Sequence, residues 1–384
     1  MSSPSPENIF KSLHEIFYTR KSNDVLEIEI LLPGQGPLLR DGCFIGITKS
    51  ALVKAFIVAR KNFLHHVTRL NGSSSLSLEA EGEFAAIPAV ILLFDCEHTT
   101  ACNWRKRLVK ASIDKYIAEG DIDRDGLLDI LERELNLITT FVCSPLHRHT
   151  KSPTLWQHRL WVMTERLKLQ GSALHEAIFL SLEAIRNFIL AEFAIVCKAA
   201  ELHPKNYYAF SYIRQLHSTV SNLSTRMAAE DVTDVSPLLC DLAITLVEPA
   251  LKWCLSNPKD ISGWMFLLYL LSHEATSDNE EQNMIQLRKM TMERAMHFAI
   301  KVTAWKGESL WTFVDLMMTK FGPTVLPATI KLDSDQMRLY QVEDLPVNID
   351  TTRTKLKSES KVWAATARWR TTMHLIIKSH NDEA

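Results

Sequence analysis

The chain has 384 residues, of which 46% are hydrophobic and 23% are charged, a composition that excludes wholesale disorder. Its 43 lysines and arginines nearly balance 45 aspartates and glutamates. The composition therefore offers no basic surplus for a nucleic-acid backbone, and we expect no nucleic-acid partner. Glycine (12) and proline (14) are scarce, which argues against a many-stranded sandwich or barrel and favours long helices.

The sequence carries no signal for a membrane or for secretion. The opening residues, MSSPSPENIF, lack the charged and apolar regions of a signal peptide. The longest apolar run, residues 84–94, is too short to span a bilayer, which needs about 20 residues. Seven scattered cysteines contain no Cys-x-x-Cys pair, so we expect reduced thiols and a cytoplasmic location.

Residues 1–95 are the least regular part, and we predict a small mixed region there. Residues 24–34 partly alternate apolar and acidic side chains and predict a strand that ends at Pro33-Gly34. Residues 50–67 predict a helix with Ser50 as its N-cap. The small and polar residues 71–83 predict a loop.

From about residue 96 onward, the apolar residues recur with a helical period. The clearest steps, of four, three and four residues, join Trp156, Leu160, Met163 and Leu167. A capping side chain followed by proline predicts helix starts at Ser152-Pro153, Ser236-Pro237 and Asn257-Pro258. Polar stretches predict linkers at residues 221–235, 274–283 and 321–360, and a final helix follows at residues 361–378.

An aromatic residue near the start of a helix recurs six times, at intervals of 47 to 54 residues. The six positions are Trp104, Trp156, Phe210, Trp264, Trp311 and Trp363. A helical hairpin cannot bury its apolar face alone, whereas stacked hairpins can. The recurrence therefore predicts an all-α solenoid of antiparallel helical hairpins, preceded by the mixed N-terminal region.

Three segments, NWRKRL, WQHRLW and PKNYYAF, resemble the repeat of protein prenyltransferase alpha subunits, roughly Asn-Tyr-x-x-Trp-x-x-Arg. Trp104 with Arg107 and Trp156 with Arg159 keep the Trp-x-x-Arg half, and Asn206-Tyr207-x-x-Phe210 keeps the first half. The later repeats have Ile213, Leu267 and Val314 where arginine is expected, so the chain resembles a divergent branch of that family.

The resemblance implies a right-handed superhelix that forms a heterodimer with a beta subunit. It implies domains at residues 1–95 (mixed), 96–320 (prenyltransferase alpha-type repeats), 321–360 (linker) and 361–380 (final helix). The complex would transfer a farnesyl or geranylgeranyl group to a protein cysteine, and this chain alone would be inactive. Zinc and the isoprenoid diphosphate would be held by the beta partner, with no cofactor in this chain.

The same resemblance implies that Lys205 and Tyr207 contact the diphosphate as catalytic residues, because a leaving diphosphate needs cationic and hydroxyl donors. The simpler alternative is a solvated lysine in a turn and a tyrosine used for packing. A rival function follows from that alternative: a non-catalytic helical-repeat scaffold that binds protein partners.

The segment DIDRDGLLDILE matches the spacing of a twelve-residue calcium loop. The oxygen ligands would be Asp121, Asp123, Asp125, Asp129 and Glu132. The segment lacks the second loop of a paired unit, and an acidic turn before a helix explains the same carboxylates. We therefore predict no metal site in this chain.

Overall fold

The computed structural model describes residues 5–70, 78–118, 123–174, 182–230, 236–273, 278–330, 340 and 359–381. The chain is mostly helical and contains a small mixed sheet near its N-terminus, which confirms this part of the predicted fold. It divides into two compact units, Met1–Leu223 and Ser224–Ala384, and the boundary between them lies within a helix.

The first unit contains three strands and eight helices among its described residues. The strands are β1 (Glu27–Leu31), β2 (Leu38–Asp41) and β3 (Phe44–Thr48). The helices are α1 (Pro6–Thr19), α2 (Lys49–Leu70), α3 (Leu78–Phe94), α4 (Thr99–Ala118), α5 (Arg124–Cys143), α6 (Pro153–Leu174), α7 (Leu182–Leu202) and α8 (Tyr207–Glu230).

The strand predicted within residues 24–34 is confirmed as β1. It pairs in parallel with β3, and β3 pairs antiparallel with β2, so the strand order is β1-β3-β2. The hairpin of β2 and β3 was not predicted. Its two-residue turn starts at Gly42, whose φ of 58° lies in the left-handed region that glycine adopts without strain.

Helix α5 closes the outer edge of β1 with two side-chain hydroxyls. Thr140 Oγ1 accepts a hydrogen bond from the backbone N–H of Leu26, and Ser144 Oγ accepts one from Ile28, both at 2.9 Å. The two hydroxyls are four residues apart and so lie on one face of the helix. Backbone groups that would be unpaired at a sheet edge are thereby satisfied.

Helices α1, α2 and α3 pack on one another beside the sheet. The apolar run at residues 84–94 lies in α3 and is largely buried. Within the described parts of the chain, we find no helix with the length and apolar character needed to cross a membrane. The predicted loop at residues 71–83 was wrong from Leu78 onward, where α3 already begins, and residues 71–77 lie outside the described residues.

The described residues of the second unit form helices and the segments that connect them, without a strand. Its helices are α9 (Ser236–Ser256), α10 (Ile261–Leu271), α11 (Asp278–His297), α12 (Glu308–Phe321) and α13 (Glu359–Asn381). The apolar helix α10 packs against α9 and α12. The approach to α9 is close, because a Cβ on Gly263 would lie 2.3 Å from Trp253 Cζ3.

The predicted helix starts have different outcomes. Helix α6 begins at Pro153, and Ser152 Oγ accepts a hydrogen bond from the N–H of Leu155, as predicted. The start at Asn257-Pro258 was wrong, because the N–H of Asn257 still bonds to carbonyls of α9. The cap of α10 is Asp260 instead, whose carboxylate accepts from the N–H of Ser262.

Two predicted linkers are partly helical. The linker at residues 221–235 was wrong up to Glu230, where α8 ends, and residues 231–235 lie outside the described residues. The linker at residues 274–283 was wrong from Asp278, where α11 begins. Polar composition therefore coincided with part of a helix in each case rather than with a connection alone.

Candidate functional site

Three of the recurring tryptophans make the same hydrogen bond. The indole Nε1–H of Trp156 donates to the carbonyl of Thr150 at 2.9 Å, that of Trp264 to Pro258 at 3.1 Å, and that of Trp311 to Trp305 at 2.8 Å. The acceptor lies six residues before the tryptophan each time. Each buried ring therefore ties the helix it opens to the loop that precedes that helix.

Phe210 has the recurring position in α8 but no indole N–H, and the start of α8 is held by a different bond, from Asn206. The Asn206 amide donates to the same Thr150 carbonyl at 2.6 Å, while its oxygen accepts from the N–H of Ala209 at 3.2 Å. Asn206 is fully buried. The residues that form the start of α8 are thereby fixed to the start of α6.

The arginine of the WQHR motif forms a buried ion pair between helices. Arg159 donates to both carboxylate oxygens of Glu192, at 3.0 and 2.7 Å, and Tyr212 donates to the same carboxylate at 2.5 Å. The remaining terminal nitrogen of Arg159, Nη1, donates to Leu135 O and to Thr139 Oγ1. The Glu192 charge keeps the pKa of Arg159 above its ordinary value despite burial, so Arg159 stays a cation.

A second buried cluster joins α4, α5 and α6. Glu134 accepts from Arg105 Nε at 2.9 Å and lies 2.7 Å from His158 Nε2. Burial alone raises the pKa of Glu134, but Arg105 and His158 lower it well below its usual range. Burial alone lowers the pKa of His158, but its contacts with Cys102 and Glu134 raise it to about 9. His158 is therefore a cation at neutral pH.

Three members of these clusters were not predicted from the sequence: Arg105, Glu134 and Glu192. Arg107, the expected partner of Trp104, is exposed and stacks over the Trp104 ring, whereas Arg105 is the buried residue. The sequence did hold one signal, since Glu192 stands alone in the apolar segment ILAEFAIV. A lone carboxylate among apolar residues has to find a buried cation.

The predicted residues Lys205 and Tyr207 lie together at the exposed junction between α7 and α8. Tyr207 is 52% exposed and Tyr208 is 44% exposed. Lys151 is the last residue of the short 3-10 turn (His149–Lys151) before α6, and its Nζ lies 6.0 Å from the centre of the Tyr207 ring. We call Lys151, His203, Lys205, Tyr207 and Tyr208 the Lys–Tyr surface.

The five residues of the Lys–Tyr surface include two lysines and a histidine and no acid. The segments that supply them, residues 145–151 and 198–208, also contain Arg148, Lys198 and one acid, Glu201, and Asp95 as well as Arg148 affects the pKa of the nearby His149. The ring of His203 lies 4.8 Å from that of His147. Partial burial, Lys151 and His147 all lower the pKa of His203, which is the direction expected in a cationic environment.

The acidic motif at residues 121–132 lies mostly along α5. Asp123 caps this helix by accepting from the N–H of Gly126, and Asp125 lies in its first turn. Asp129 pairs with Arg133 and Glu132 with Arg166, while Asp121 lies outside the described residues. Among the described residues, no three His, Cys, Asp or Glu side chains are placed to hold a metal ion.

A family model for the ECM9 middle domain matches residues 160–294. No curated protein matches the chain by sequence. The matched segment begins in α6 and ends in α11 and leaves most of the chain unmatched, so it shows a similarity over that segment.

The match corrects the assignment to the protein prenyltransferase alpha-subunit family, which was wrong. The predicted role as an alpha subunit that supports prenyl transfer was wrong with it. The structure supplies the physical reason for the misleading motif. Trp156 and Arg159 are buried and bond within the protein, so Trp-x-x-Arg here records how helices pack together.

The expected beta-subunit partner has no support, and the zinc and isoprenoid diphosphate assigned to that partner depended on the same resemblance. The assignment of Lys205 and Tyr207 to a diphosphate had the same origin. What the structure does show for these two residues is exposure and a cationic neighbourhood.

Proposed function

We propose that this chain is a non-catalytic helical-repeat scaffold that binds an acidic segment of a protein partner at the Lys–Tyr surface. The observation that carries the proposal is the pair of exposed tyrosines, Tyr207 and Tyr208, in a cluster of cationic side chains. Tyrosine combines a large apolar area with a polar tip and is enriched at protein interfaces. Lysine and arginine nearby favour carboxylate partners and suppress basic ones.

The backbone and the buried residue next to the Lys–Tyr surface favour a binding role for Lys205 and Tyr207 over the alternative of a solvated turn. Lys205 has a φ of 60°, an uncommon left-handed conformation for a residue with a Cβ. The neighbouring Asn206 is bonded on both sides of its amide, as described above. A strained residue held by a buried anchor presents Lys205 and Tyr207 in one orientation, which lowers the entropy lost on binding.

We propose that the described helices belong to a solenoid of helical hairpins, with the repeats at residues 96–320, a mixed region before them and a linker at residues 321–360. Support comes from the indole hydrogen bond that recurs at Trp156, Trp264 and Trp311. We also propose that the chain acts in the cytoplasm and without a cofactor of its own. The six cysteines described are free thiols, as a reducing compartment requires.

The test is a binding comparison with the full chain and a set of fluorescent peptides. One peptide alternates glutamate with leucine and glycine, and a matched peptide carries lysine in place of each glutamate. We expect the acidic peptide to bind, and Tyr207→Ser with Lys205→Ser to weaken its affinity about tenfold or more. Fluorescence anisotropy at about 150 mM salt measures both.

The matched control is Ile117→Ser combined with Lys110→Ser, two exposed changes on α4 that remove an equal charge and a large apolar side chain. The control protein should bind the acidic peptide as the unaltered chain does. Equal weakening by the control and test variants would contradict the proposal, as would preference for the basic peptide. Prenyl transfer by the isolated chain would also contradict a non-catalytic role.

A further inference from the structure

The small sheet has an exposed face that carries acidic side chains, in contrast to the basic Lys–Tyr surface. In β1 and β3 the side chains of Ile28, Ile45 and Ile47 are buried on one face. Because successive side chains of a strand point to opposite faces, their neighbours share the other face. We call the following residues of that other face the acidic sheet face: Glu27, Glu29, Leu31, Leu39, Asp41 and Phe44.

The strand register places these residues in rows. Glu27 and Asp41 lie on either side of Phe44, and Glu29 and Leu39 lie on either side of Gly46. A Cβ on Gly46 would lie 2.7 Å from Leu31 Cδ2, so the Leu31 side chain lies flat across the glycine. The result is an apolar centre formed by leucines and Phe44, with carboxylates at its margins.

A sheet face left in solvent normally carries polar side chains. Here Phe44 is 62% exposed and Leu39 is 52% exposed. Uncovered apolar groups of this size mark an interaction site when polar residues surround them. In the same sheet, α2 contacts β3 and α5 contacts β1. A helix on the outer face would complete a three-layer arrangement.

Charge identifies the occupant. The outward residues of the three strands include three carboxylates, Glu27, Glu29 and Asp41, and no lysine, arginine or histidine. We propose that the acidic sheet face binds a basic amphipathic helix of a partner protein. Its apolar side chains would pack on Leu31, Leu39 and Phe44, and its lysines or arginines would meet the carboxylates.

This proposal is independent of the one above, because the two surfaces share no residue and select partners of opposite charge. The probe is a helical peptide of about 14 residues, four turns long, with leucine on one face and lysine on the other. Two matched peptides carry glutamate in place of every lysine, or serine in place of every leucine. We expect the lysine–leucine peptide to bind about tenfold or more tightly than either.

Two variants locate the binding. Phe44→Ser removes the central apolar side chain, and Glu27→Gln with Glu29→Gln removes two charges. We expect each to weaken the affinity about fivefold or more, as anisotropy measures it. The control, Asp114→Asn with Glu183→Gln, changes the net charge equally at exposed positions of α4 and α7 and should bind normally. Should Phe44→Ser not fold, the pair of glutamine variants still decides.

Cys43 supplies a readout of position. It is an exposed thiol next to Phe44, so bound peptide should slow its alkylation about threefold or more, since an occluded thiolate cannot react. Unchanged alkylation, equal binding of the glutamate peptide, or equal weakening by the control would each overturn the proposal. So would dimerisation of the purified chain that Phe44→Ser abolishes, because the occupant would then be a second copy.

Discussion

At the scale of single residues, several buried charged side chains are paired across helices. Glu134 holds Arg105 and His158, and Glu192 holds Arg159. A buried pair of this kind adds little net stability, but removal of one partner is costly because it leaves a charge without compensation. These pairs therefore specify which helices meet.

His158 predicts a dependence of stability on pH. Its pKa is about 9 in the folded chain, above the ordinary value of 6.5. Its stabilising contribution is therefore complete below about pH 6.5 and is lost as the pH rises through 9. Glu134 has a lowered pKa, so its own contribution is lost only in acid.

We expect the free energy of unfolding to fall by roughly 1 to 3 kcal/mol between pH 6.5 and 9 in the unaltered chain, and not in His158→Gln. Urea unfolding at a series of pH values measures this. Burial raises the pKa of the thiols of Cys96, Cys143 and Cys197. Their raised pKa values also reduce stability near and above pH 9 in both proteins, so the difference between the two proteins is the informative quantity. Parallel pH curves would contradict the role of His158.

At the scale of elements, the tryptophan recurrence has a structural meaning beyond apolar packing. The indole bonds the carbonyl six residues earlier in three loops, which fixes the angle at which the chain enters the helix. At Thr150 the carbonyl has a second donor, the amide of Asn206. The three indole hydrogen bonds are therefore alike in geometry. Without the indole N–H, however, the carbonyl of Thr150 would keep a hydrogen bond from Asn206, whereas the carbonyls of Pro258 and Trp305 would lose the indole bond with no such second donor among the described residues.

This inequality predicts an order among Trp→Phe variants. The change keeps a buried ring and removes the N–H donor. We expect Trp264→Phe and Trp311→Phe each to lower the free energy of unfolding by about 1 to 2 kcal/mol, in addition to the effect of the smaller ring. Trp156→Phe should lower it less, because Thr150 keeps its hydrogen bond from Asn206. Denaturant midpoints measure the order. Adding Asn206→Ala to Trp156→Phe should remove the advantage, and no change on that addition would contradict the explanation.

At the scale of the whole molecule, each compact unit has its own apolar core and its own buried ion pair. In the first unit Arg159 pairs with Glu192. In the second, Arg368 on α13 pairs with Asp315 on α12. The two surfaces that we propose as binding sites, the Lys–Tyr surface and the acidic sheet face, both lie in the first unit.

We expect the two units to unfold in separate transitions. Glu192→Gln should lower one melting temperature and Asp315→Asn the other, each by about 5 °C or more, because each leaves an arginine, buried Arg159 or partly buried Arg368, without its carboxylate. Differential scanning calorimetry resolves the transitions. A single transition that both variants shift equally would show that the chain unfolds as one cooperative body.

Features that depend on neighbours along the chain could be predicted from the order of the amino acids. Apolar periodicity predicted the helices, alternation predicted β1, and Ser152-Pro153 marked the start of α6. The recurring aromatics marked positions that prove to be equivalent in three loops. These signals are local because helix and strand periods repeat within a few residues.

The pairs of side chains that meet in the core could be identified from the folded chain alone. Arg105 finds Glu134 at a separation of 29 residues and Arg159 finds Glu192 at 33, and no local pattern encodes either partner. The same holds for the two surfaces, since Lys151 reaches Tyr207 and Phe44 stands between Glu27 and Asp41 only after distant segments pack. Burial and charge pairing are properties of the folded arrangement. The Trp-x-x-Arg motif lies at a helix contact in the structure, and the function inferred from it was wrong.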